Sequence, residues 1–312
     1  MIGGVRALSD MTEDIRDKPN LDHSDIIRLN FIREPAKYFY RRHYRTGLRS
    51  HIMEVLSYES VRNEKQGVVI DGLRRYARAE PLKMLRIFRI KFGTLEDALE
   101  ELRRVRTIQT YLAPDHIARP EEFLVDYARD GRREVLLCGL QEYVRGEILE
   151  PWSCLDRNHL ITLVRRMGVE KTGDSDSITN EWIKRVRKKA ENFIREVKHM
   201  IMKAHFVPDL AGVGNLILTQ SGDIKLVDIN NISNVSFDPV IILDDRGYPV
   251  CDKSIQALSL LEQKLLGVPV PGDDRIYKIF LDPKRTGEVK TAEEKFFISV
   301  DPNFSYPRPS FQ

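Results

Sequence analysis

Three oxygen-bearing side chains lie in a predicted loop or at the end of a predicted strand between residues 205 and 231, in the sequence H-F-V-P-D-L-A-G-V-G-N-L-I-L-T-Q-S-G-D-I-K-L-V-D-I-N-N. Asp209 lies in a predicted loop, Asn215 opens a short apolar run, and Asp228 closes the next run. Carboxylate and amide oxygens suit Mg²⁺, which takes few carboxylates and shares its remaining positions with phosphate oxygens. The pattern therefore favours phosphoryl transfer.

Two short strands and a long helix must position these side chains. Residues 215–219 and 224–228 are β-rich runs, and residues 220–223 between them carry turn chemistry, which predicts a hairpin. Its antiparallel pairing would bring Asn215 and Asp228 to the same end. Upstream, apolar residues recur at helical spacing from Trp182 onward, with Lys and Arg on the other face, so we expect a long amphipathic helix leading into the Asp loop.

The order helix, Asp loop, Asn, hairpin, Asp resembles the catalytic core of the protein-kinase-like superfamily. The resemblance implies that Asp209 orients the acceptor hydroxyl and that Asn215 and Asp228 hold Mg²⁺. Asn215 and Asp228 are thirteen positions apart, which is the family's usual interval. The resemblance also extends to residues 251–254, C-D-K-S, which resemble the D-x-x-S helix that braces the catalytic loop of the larger lobe in that family.

The chain departs from the family pattern around Asp209. This residue lies six positions before Asn215, where the family has five. The D-F-G triplet is D-I-N here, and H-R-D is represented only by His205 and Asp209. Either residues 211–214 form a one-residue bulge, or the catalytic base is missing.

Segments upstream fall where the resemblance requires a nucleotide site for ATP. Residues 140–147 resemble the kinase hinge, so Glu142 and Val144 are expected to present backbone groups to adenine. The end of the segment 84–91 resembles the V-A-I-K strand, which makes Lys91 the candidate for pairing with nucleotide phosphates.

The segment Leu95–Leu112 is expected to be a helix with one apolar face. In the family this helix supplies a Glu that pairs with the strand Lys. At about 100° per residue, Glu101 borders the apolar stripe, whereas Glu96 and Glu100 point away. Glu101 is therefore the predicted partner of Lys91.

The glycine-rich loop of kinases has no clear counterpart before Lys91, where only Gly67 and Gly72 are within reach. The nearby Arg74, Arg75 and Arg78 have two interpretations. Guanidinium groups suit phosphate oxygens, so they could neutralise phosphate charge. Alternatively, they form a solvated strand face.

The resemblance implies an α+β, two-lobed protein-kinase-like fold, with a small β-rich N-lobe, a mainly helical C-lobe and an N-terminal extension. The predicted domains are a basic extension at 1–64, the N-lobe at 65–145 and the C-lobe at 146–268. Residues 269–312 are Pro-rich and are predicted to form an irregular tail, with the helical lobe ending near Gly267.

The predicted extension is basic, and residues 33–91 hold fifteen Lys or Arg against six acids. Residues 37–45 interleave aromatics with cations, which favours an anionic partner such as a nucleic acid or a membrane surface. The alternative is an amphipathic helix whose tyrosines pack on a lobe. Residues 1–35 are expected to be a weakly ordered lead-in with a short helix capped by Asp22 or by Ser24 and Asp25.

Composition limits the remaining possibilities. The 312 residues are 42% hydrophobic and 31% charged, which is typical of a soluble globular protein. Three cysteines without C-x-x-C spacing, and no transmembrane run or signal peptide, favour a cytoplasmic location. No H-E-x-x-H or G-x-S-x-G pattern occurs, which makes a zinc enzyme or a serine hydrolase unlikely on motif grounds.

Two functions remain. The first is an ATP- and Mg²⁺-dependent phosphotransferase that acts on an unknown hydroxyl acceptor, whether a protein, a sugar or a small molecule. The second is a pseudokinase that serves as a nucleotide-binding regulatory or interaction module. The retained Lys, Asn and Asp favour the first, and the missing glycine loop and shifted Asp209 favour the second.

Overall fold

A computed structural model describes residues 13–45, 49–129, 132–169, 175–270 and 272–300. The chain divides into two units, the first comprising Met1–Arg103 and Ala118–Tyr143 and the second Arg104–Ile117 and Val144–Gln312. The first unit is built on a β-sheet and the second is mainly helical, so the α+β prediction is confirmed. One boundary falls between Tyr143 and Val144, inside the segment predicted to be the hinge.

The first unit is organised around five antiparallel strands. Its elements are α1 (His23–Ile27), β1 (Tyr38–Arg42), β2 (Ser50–Ser57), α2 (Tyr58–Gln66), β3 (Val68–Ile70), β4 (Leu73–Arg75), β5 (Lys83–Phe88), the start of α3 (Leu95–Leu112), β6 (Pro120–Arg129) and β7 (Arg132–Glu142). The sheet order is β1-β2-β5-β7-β6, and β3 and β4 form a separate hairpin. The bounds predicted for α3 are confirmed.

The N-terminal lead-in packs into the core of the first unit. Ile15 and Ile26 are completely buried and form one cluster with Leu85 and Ile87 of β5. Asp22 caps α1 as one alternative predicted, because its carboxylate accepts from the N–H of the third helical residue. The expectation of a weakly ordered lead-in is therefore wrong from residue 13 onward, because its apolar residues pack on the sheet. These residues are too widely spaced to form a recognisable periodic pattern in the sequence.

The aromatic and basic segment at 37–45 contains strand β1, so the alternative of an amphipathic helix is wrong for this segment. Alternation sends Tyr38 and Tyr40 to the cluster with the N-terminal segment, and Phe39 to a second cluster. Arg41 pairs with Glu54 and with Glu64, each at 2.7 Å. Aromatic residues have high β propensity, and packing against the neighbouring strand favours a strand over a helix here.

The structure divides the chain differently from the predicted boundary at residue 64. Strands β1 and β2, which were placed in the extension, belong to the same sheet as β5, β6 and β7. For example, Met53 of β2 lies opposite Leu85 of β5. An anionic partner for this basic region stays a prediction.

The second unit contains the rest of α3 and a mainly helical body. Its further elements are β8 (Glu147–Ile148), α4 (Arg157–Arg166), α5 (Ser175–Ala204), β9 (Phe206–Pro208), β10 (Leu216–Leu218), β11 (Ile224–Leu226), β12 (Ile232–Asn234), α6 (Val250–Leu261), a π-helical turn (Glu262–Leu266), α7 (Arg275–Phe280) and α8 (Pro283–Val300). Strands β11-β10-β8 form one small sheet, and β9 pairs with β12. Helix α5 carries the predicted apolar face, with Trp182, Phe193 and Val197 completely buried.

The C-terminal segment is helical rather than irregular, so the predicted tail is wrong for residues 275–300. Tyr277 and Phe280 of α7 belong to the core of the second unit, and Arg285 of α8 is buried against Asp252 of α6. The prolines misled the prediction because Pro283 occupies the first position of α8, where its missing N–H costs nothing. Residues 301–312 lie outside the described residues.

Within the described part of the chain, no helix combines the length and the apolar character needed to cross a membrane.

Candidate functional site

Helix α5 and strand β9 deliver the chain to the loop of Asp209. Helix α5 ends at Ala204, and His205 then takes a positive φ of 57° that turns the chain into β9. Strand β9 pairs with β12, with Val207 opposite Ser233. The predicted long helix before the Asp loop is therefore confirmed.

Asp209 is held by its own loop and by Asn231. Its Oδ1 accepts hydrogen bonds from the backbone N–H groups of Ala211 (3.0 Å) and Gly212 (2.9 Å). Its Oδ2 accepts one from Nδ2 of Asn231 (2.9 Å), and its N–H donates to the carbonyl oxygen of the same Asn231 (2.8 Å). A carboxylate has about four acceptor positions, so one position is left for a hydroxyl donor.

Asn215 and Asp228 lie at the same end of the β10–β11 hairpin, as predicted. Leu216 pairs with Leu226, and the N–H of Val227 donates to the carbonyl oxygen of Asn215 (2.8 Å). Nδ2 of Asn215 donates to the carbonyl oxygen of Asp209 (2.9 Å). The structure therefore brings Asp209, Asn215 and Asp228 together.

Two half-buried carboxylates, Asp209 and Asp228, influence each other at the site. Burial raises the pKa of Asp209, and the neighbouring charge of Asp228 raises it further, against the hydrogen bonds from Gly212, Asn231 and Ala211. Two like charges held close together favour protonation of one of them. A base whose pKa is raised is better matched to proton transfer near neutral pH.

We expect the stability of Asp209→Asn to rise relative to that of the wild type as the pH rises. A carboxyl with a raised folded-state pKa loses stability as the pH rises through that pKa, so the wild type is penalised at pH 7 and not below the ordinary Asp range. The stability difference between variant and wild type should change by about 1 kcal/mol in favour of the variant between low and neutral pH. Urea unfolding at pH 7 and at pH 3 checks this, and a stability difference that is the same at both pH values contradicts it.

The Asp209 loop is braced by Ser254, which the resemblance implied, and by Trp152, which the sequence analysis did not assign. Oγ of Ser254 in α6 accepts a hydrogen bond from the N–H of Leu210 (3.2 Å), as the D-x-x-S resemblance implied for a bracing helix. Trp152 donates its indole N–H to the carbonyl oxygen of Ala211 (3.1 Å). Nζ of Lys253 lies 4.3 Å from the centre of a Trp152 ring, a cation–π contact. No local motif marks Trp152 or Asn231, since both reach the loop through tertiary contacts.

Gly212 allows the close approach of the side chains at the site. A Cβ at this position would lie 2.5 Å from Nδ2 of Asn215 and 3.0 Å from Oδ2 of Asp209. The first distance is shorter than van der Waals contact allows, so an alanine must displace the Asn215 amide. The D-L-A-G-V-G-N loop therefore needs glycine here for steric reasons.

For the Mg²⁺-dependent phosphotransferase that the family resemblance implies, we expect Gly212→Ala to lower nucleotide turnover about a hundredfold, because misplacement of a site by about 1 Å has effects of that size. Gly287→Ala is the matched control, since a Cβ there meets no atom within 4 Å. It lies inside α8, where alanine should stabilise the helix by about 0.5–1 kcal/mol. Equal turnover of the Gly212→Ala variant and the wild type would show that the Asn215 position is not critical.

The donor set at this end of the hairpin fits Mg²⁺. Among the described residues, no group of three or more His, Cys, Asp or Glu side chains is placed to hold a metal ion. Mg²⁺ needs only one or two carboxylates when phosphate oxygens and water complete its coordination. Because Nδ2 of Asn215 is engaged by Asp209, the Oδ1 atom of Asn215 is the one left for a cation beside Asp228.

Lys91 lies in the first unit, three residues beyond the end of β5. The V-A-I-K resemblance placed it at a strand end, whereas the strand stops at Phe88. Its Nζ pairs with Asp17 at 2.6 Å and lies 3.6 Å from Asp14, and the hydrogen bond to Asp17 raises the pKa of Lys91. Its predicted contact with phosphate stays a prediction.

The other predicted nucleotide residues also have defined places. Glu101 is half-buried in α3, whereas Glu96 and Glu100 pair with Arg103 on the exposed side, as their predicted orientation requires. Glu142 ends β7, and its N–H donates to the carbonyl oxygen of Arg119 (3.0 Å). Val144 follows directly after the boundary between the units. Their contacts with nucleotide stay predictions.

Gly67 and Gly72, which were considered as counterparts of the kinase glycine-rich loop, lie on either side of β3. Gly67 ends α2, and Gly72 lies in the β3–β4 turn. Nη1 of Arg74 donates to the carbonyl oxygen of Gln66 (2.8 Å), and the strand residues of this hairpin are all exposed. The connection between the first two strands runs from residue 43 to 49, and residues 46–48 lie outside the described residues.

Arg86 is a buried cation that the sequence analysis missed. Leu85 and Ile87 face the N-terminal segment, so alternation puts Arg86 on the opposite face of the sheet, where it is 6% exposed. It lies opposite Gly139, which in turn lies opposite Glu122. Burial raises the pKa of Glu122, and the charge of Arg86 opposes this. In the sequence, a cation between the apolar residues Leu85 and Ile87 was the signal that could have revealed this buried position.

No protein-family model matches this chain, and no curated protein shows significant similarity to its sequence. Function must therefore be inferred from the site itself.

Proposed function

We propose that the protein is an ATP- and Mg²⁺-dependent phosphotransferase with a two-lobed, kinase-like fold. The observation that carries this proposal is the meeting of Asp209, Asn215 and Asp228 at one end of the β10–β11 hairpin. Phosphoryl transfer needs a cation held near the phosphates and a group that orients the attacking hydroxyl. These three side chains supply both requirements.

The architecture of each unit supports the proposal. The first unit has a five-stranded antiparallel sheet, with α3 between β5 and β6 in the chain. The second unit is mainly helical and carries the paired short strands that hold the site. This order agrees with a β-rich lobe followed by a helical lobe.

The chain's residues have distinct roles in the proposed reaction. Asp228 and the Oδ1 atom of Asn215 would hold Mg²⁺, which when bound offsets charge on the phosphate oxygens. Asp209 accepts a hydrogen bond from the acceptor hydroxyl at its remaining position and takes the proton as the hydroxyl oxygen bonds to the γ-phosphorus. The bond between the γ-phosphorus and the bridging oxygen breaks, and ADP leaves with that oxygen. The raised pKa of Asp209 favours this acceptance of the proton.

A second candidate is a nucleotide-binding pseudokinase with a regulatory role. Two observations favour it: the hydrogen bonds that already occupy Asp209, and the pairing of Lys91 with Asp17. An Asp that serves only to fold its own loop needs no substrate. The two candidates differ in turnover and share nucleotide binding.

Thermal unfolding with and without ATP and Mg²⁺ tests the shared part. Ligand that binds only the folded state raises the melting temperature, so we expect a rise of several degrees that requires Mg²⁺. Lys91→Ala should reduce the rise in melting temperature. The same measurement on Arg86→Gln, which removes the buried cation of β5, compares the two cations as candidates for contact with phosphate. A melting temperature unaffected by every nucleotide would reject both candidates.

ADP release in the presence of hydroxyl acceptors then separates the candidates. Release that depends on Mg²⁺ and is lost in Asp228→Asn supports the phosphotransferase. Binding without release or transfer, across protein, sugar and small-molecule acceptors, supports the pseudokinase.

A further inference from the structure

Asn230 lies two residues beyond Asp228 of the candidate site, and its side-chain amide is buried. The residue is 6% exposed, and neither Oδ1 nor Nδ2 has a partner among the described residues. Burying an amide without hydrogen bonds is unfavourable, and nearly all buried polar groups in proteins are paired. An amide at this position therefore requires an explanation beyond packing.

Its position in the chain connects Asn230 with the carboxylates of the site. Asp228 lies two residues before it, and the N–H of Asn230 lies 3.5 Å from Oδ1 of Asp228. Asn231 follows directly and holds Oδ2 of Asp209. Asn230 is thus placed in the short segment that links the two carboxylates of the site.

Packing alone does not account for an asparagine here. The preceding Ile229 is completely buried and shows what a core position in this segment accepts. An apolar residue at position 230 would avoid the unfavourable burial of an amide. A polar group kept at such a position is consistent with a partner that arrives with the ligand.

The chemistry of the site indicates which ligand would form a hydrogen bond with the Asn230 amide. The two carboxylates beside Asn230 accept hydrogen bonds and attract cations, and they offer nothing to a phosphate oxygen. The Nδ2 group of an asparagine has two N–H donors, which suit phosphate oxygens. A phosphate carried in with a cation would therefore meet both kinds of group.

We propose that Asn230 is a nucleotide-binding residue whose Nδ2, covered in the unliganded structure, turns on binding to donate to a phosphate oxygen of the magnesium nucleotide. The proposal rests on the proposed function and adds a phosphate contact from the position where the D-F-G pattern has glycine. It predicts that the amide contributes to ligand affinity and not to the stability of the unliganded protein.

The test measures melting temperature and ATP affinity, with Mg²⁺ present, for wild type, Asn230→Leu and Asn230→Asp. Leucine removes the unpaired amide and keeps a branched side chain, so the unliganded variant should melt at or above the wild-type temperature. Its affinity for ATP should fall at least about tenfold, as expected for a lost hydrogen bond to a charged group. Asn234→Leu, at an exposed position of β12, is the matched control and should bind like wild type.

Asn230→Asp keeps the shape and replaces the donor by a negative charge. Its ATP affinity should fall further than that of Asn230→Leu, because the new carboxylate repels phosphate. This variant also serves if the larger leucine does not fold. Asn234→Asp is its exposed control.

Each outcome is decisive. Wild-type affinity in both Asn230 variants would overturn this inference and leave the proposed function standing. A lower melting temperature of unliganded Asn230→Leu with unchanged affinity would show that the amide is bonded within the protein. Absence of ATP binding in the wild type would overturn the proposed function and this inference together.

Discussion

Asp228→Asn is expected to lower Mg²⁺-dependent phosphoryl transfer at least about a thousandfold, the scale of loss when a group that stabilises developing charge is removed. The variant leaves Asp209 as the one carboxylate in the cluster of Asp209, Asn215 and Asp228. It also removes a charge that raises the pKa of Asp209. The residual turnover of the variant should therefore persist to lower pH than the turnover of the wild type, because Asp209 stays ionised at lower pH.

The measurement is ADP release as a function of pH and Mg²⁺ concentration. Asp223→Asn is the matched control, because Asp223 belongs to the same hairpin but pairs with Lys189 in its turn. That control should retain turnover within about twofold, because its partly exposed ion pair lies in the turn, at the opposite end of the hairpin from Asn215 and Asp228. Turnover of Asp228→Asn equal to that of the control would remove Asp228 from the catalytic assignment.

Asp252→Ala is expected to destabilise the second unit by about 3–5 kcal/mol, because removal of one partner leaves a buried charge uncompensated. Nε of Arg285 lies 2.5 Å from Oδ1 of Asp252, and Nη2 lies 3.2 Å from Oδ2. The Asp252 side chain is completely buried and the Arg285 side chain is 7% exposed. Arg285 also donates to the carbonyl oxygen of Asp238 (2.9 Å), so it joins α6, α8 and the segment before α6.

The complementary variant, Arg285→Met, should be destabilising in a pH-dependent way. Burial raises the pKa of Asp252, and Arg285 opposes that rise, so loss of Arg285 leaves a carboxyl that protonates more readily. A group with a raised folded-state pKa costs stability as the pH rises through that pKa, so the defect should shrink as the pH falls. Asp252→Ala should gain no such relief, since guanidinium stays charged.

Urea unfolding from pH 5 to pH 8 distinguishes these expectations. The double variant Asp252→Leu with Arg285→Met should recover much of the lost stability, because it leaves no buried charge. Glu181→Ala breaks an exposed pair with Lys184 and should change stability by less than about 1 kcal/mol. Equal effects of Glu181→Ala and Asp252→Ala would show that the buried pair contributes no more than a surface pair.

Local patterns predicted several elements well. The bounds of α3 follow from periodicity, and the existence of the β10–β11 hairpin follows from its turn residues, which act over a few positions. The approach of Asn215 and Asp228 follows from the hairpin alone. Their proposed roles, like those of Lys91 and Glu101, depend on the family resemblance and stay predictions.

Long-range packing decided where the predictions failed. β1 is a strand because β2 lies beside it, and the lead-in is ordered because it covers the sheet. α8 is joined to the second unit by the pair of Arg285 with Asp252, two residues that lie 33 positions apart. A short stretch of sequence does not contain both members of such a contact. The predictions of an irregular tail and of a separate extension therefore depended on proline content and on charge.

The sequence by itself determined the short-range elements: the amphipathic helix before the Asp loop, the hairpin, and thereby the end at which Asn215 and Asp228 meet. The tertiary structure decided which groups surround them. The contact of Asn231 with Asp209 arises because β12 returns to pair with β9, and the Asn230 amide is buried one residue before Asn231. The physical reason is that hydrogen bonding within a turn or helix is local, whereas burial and the resulting pKa of a carboxyl depend on chain segments distant in sequence.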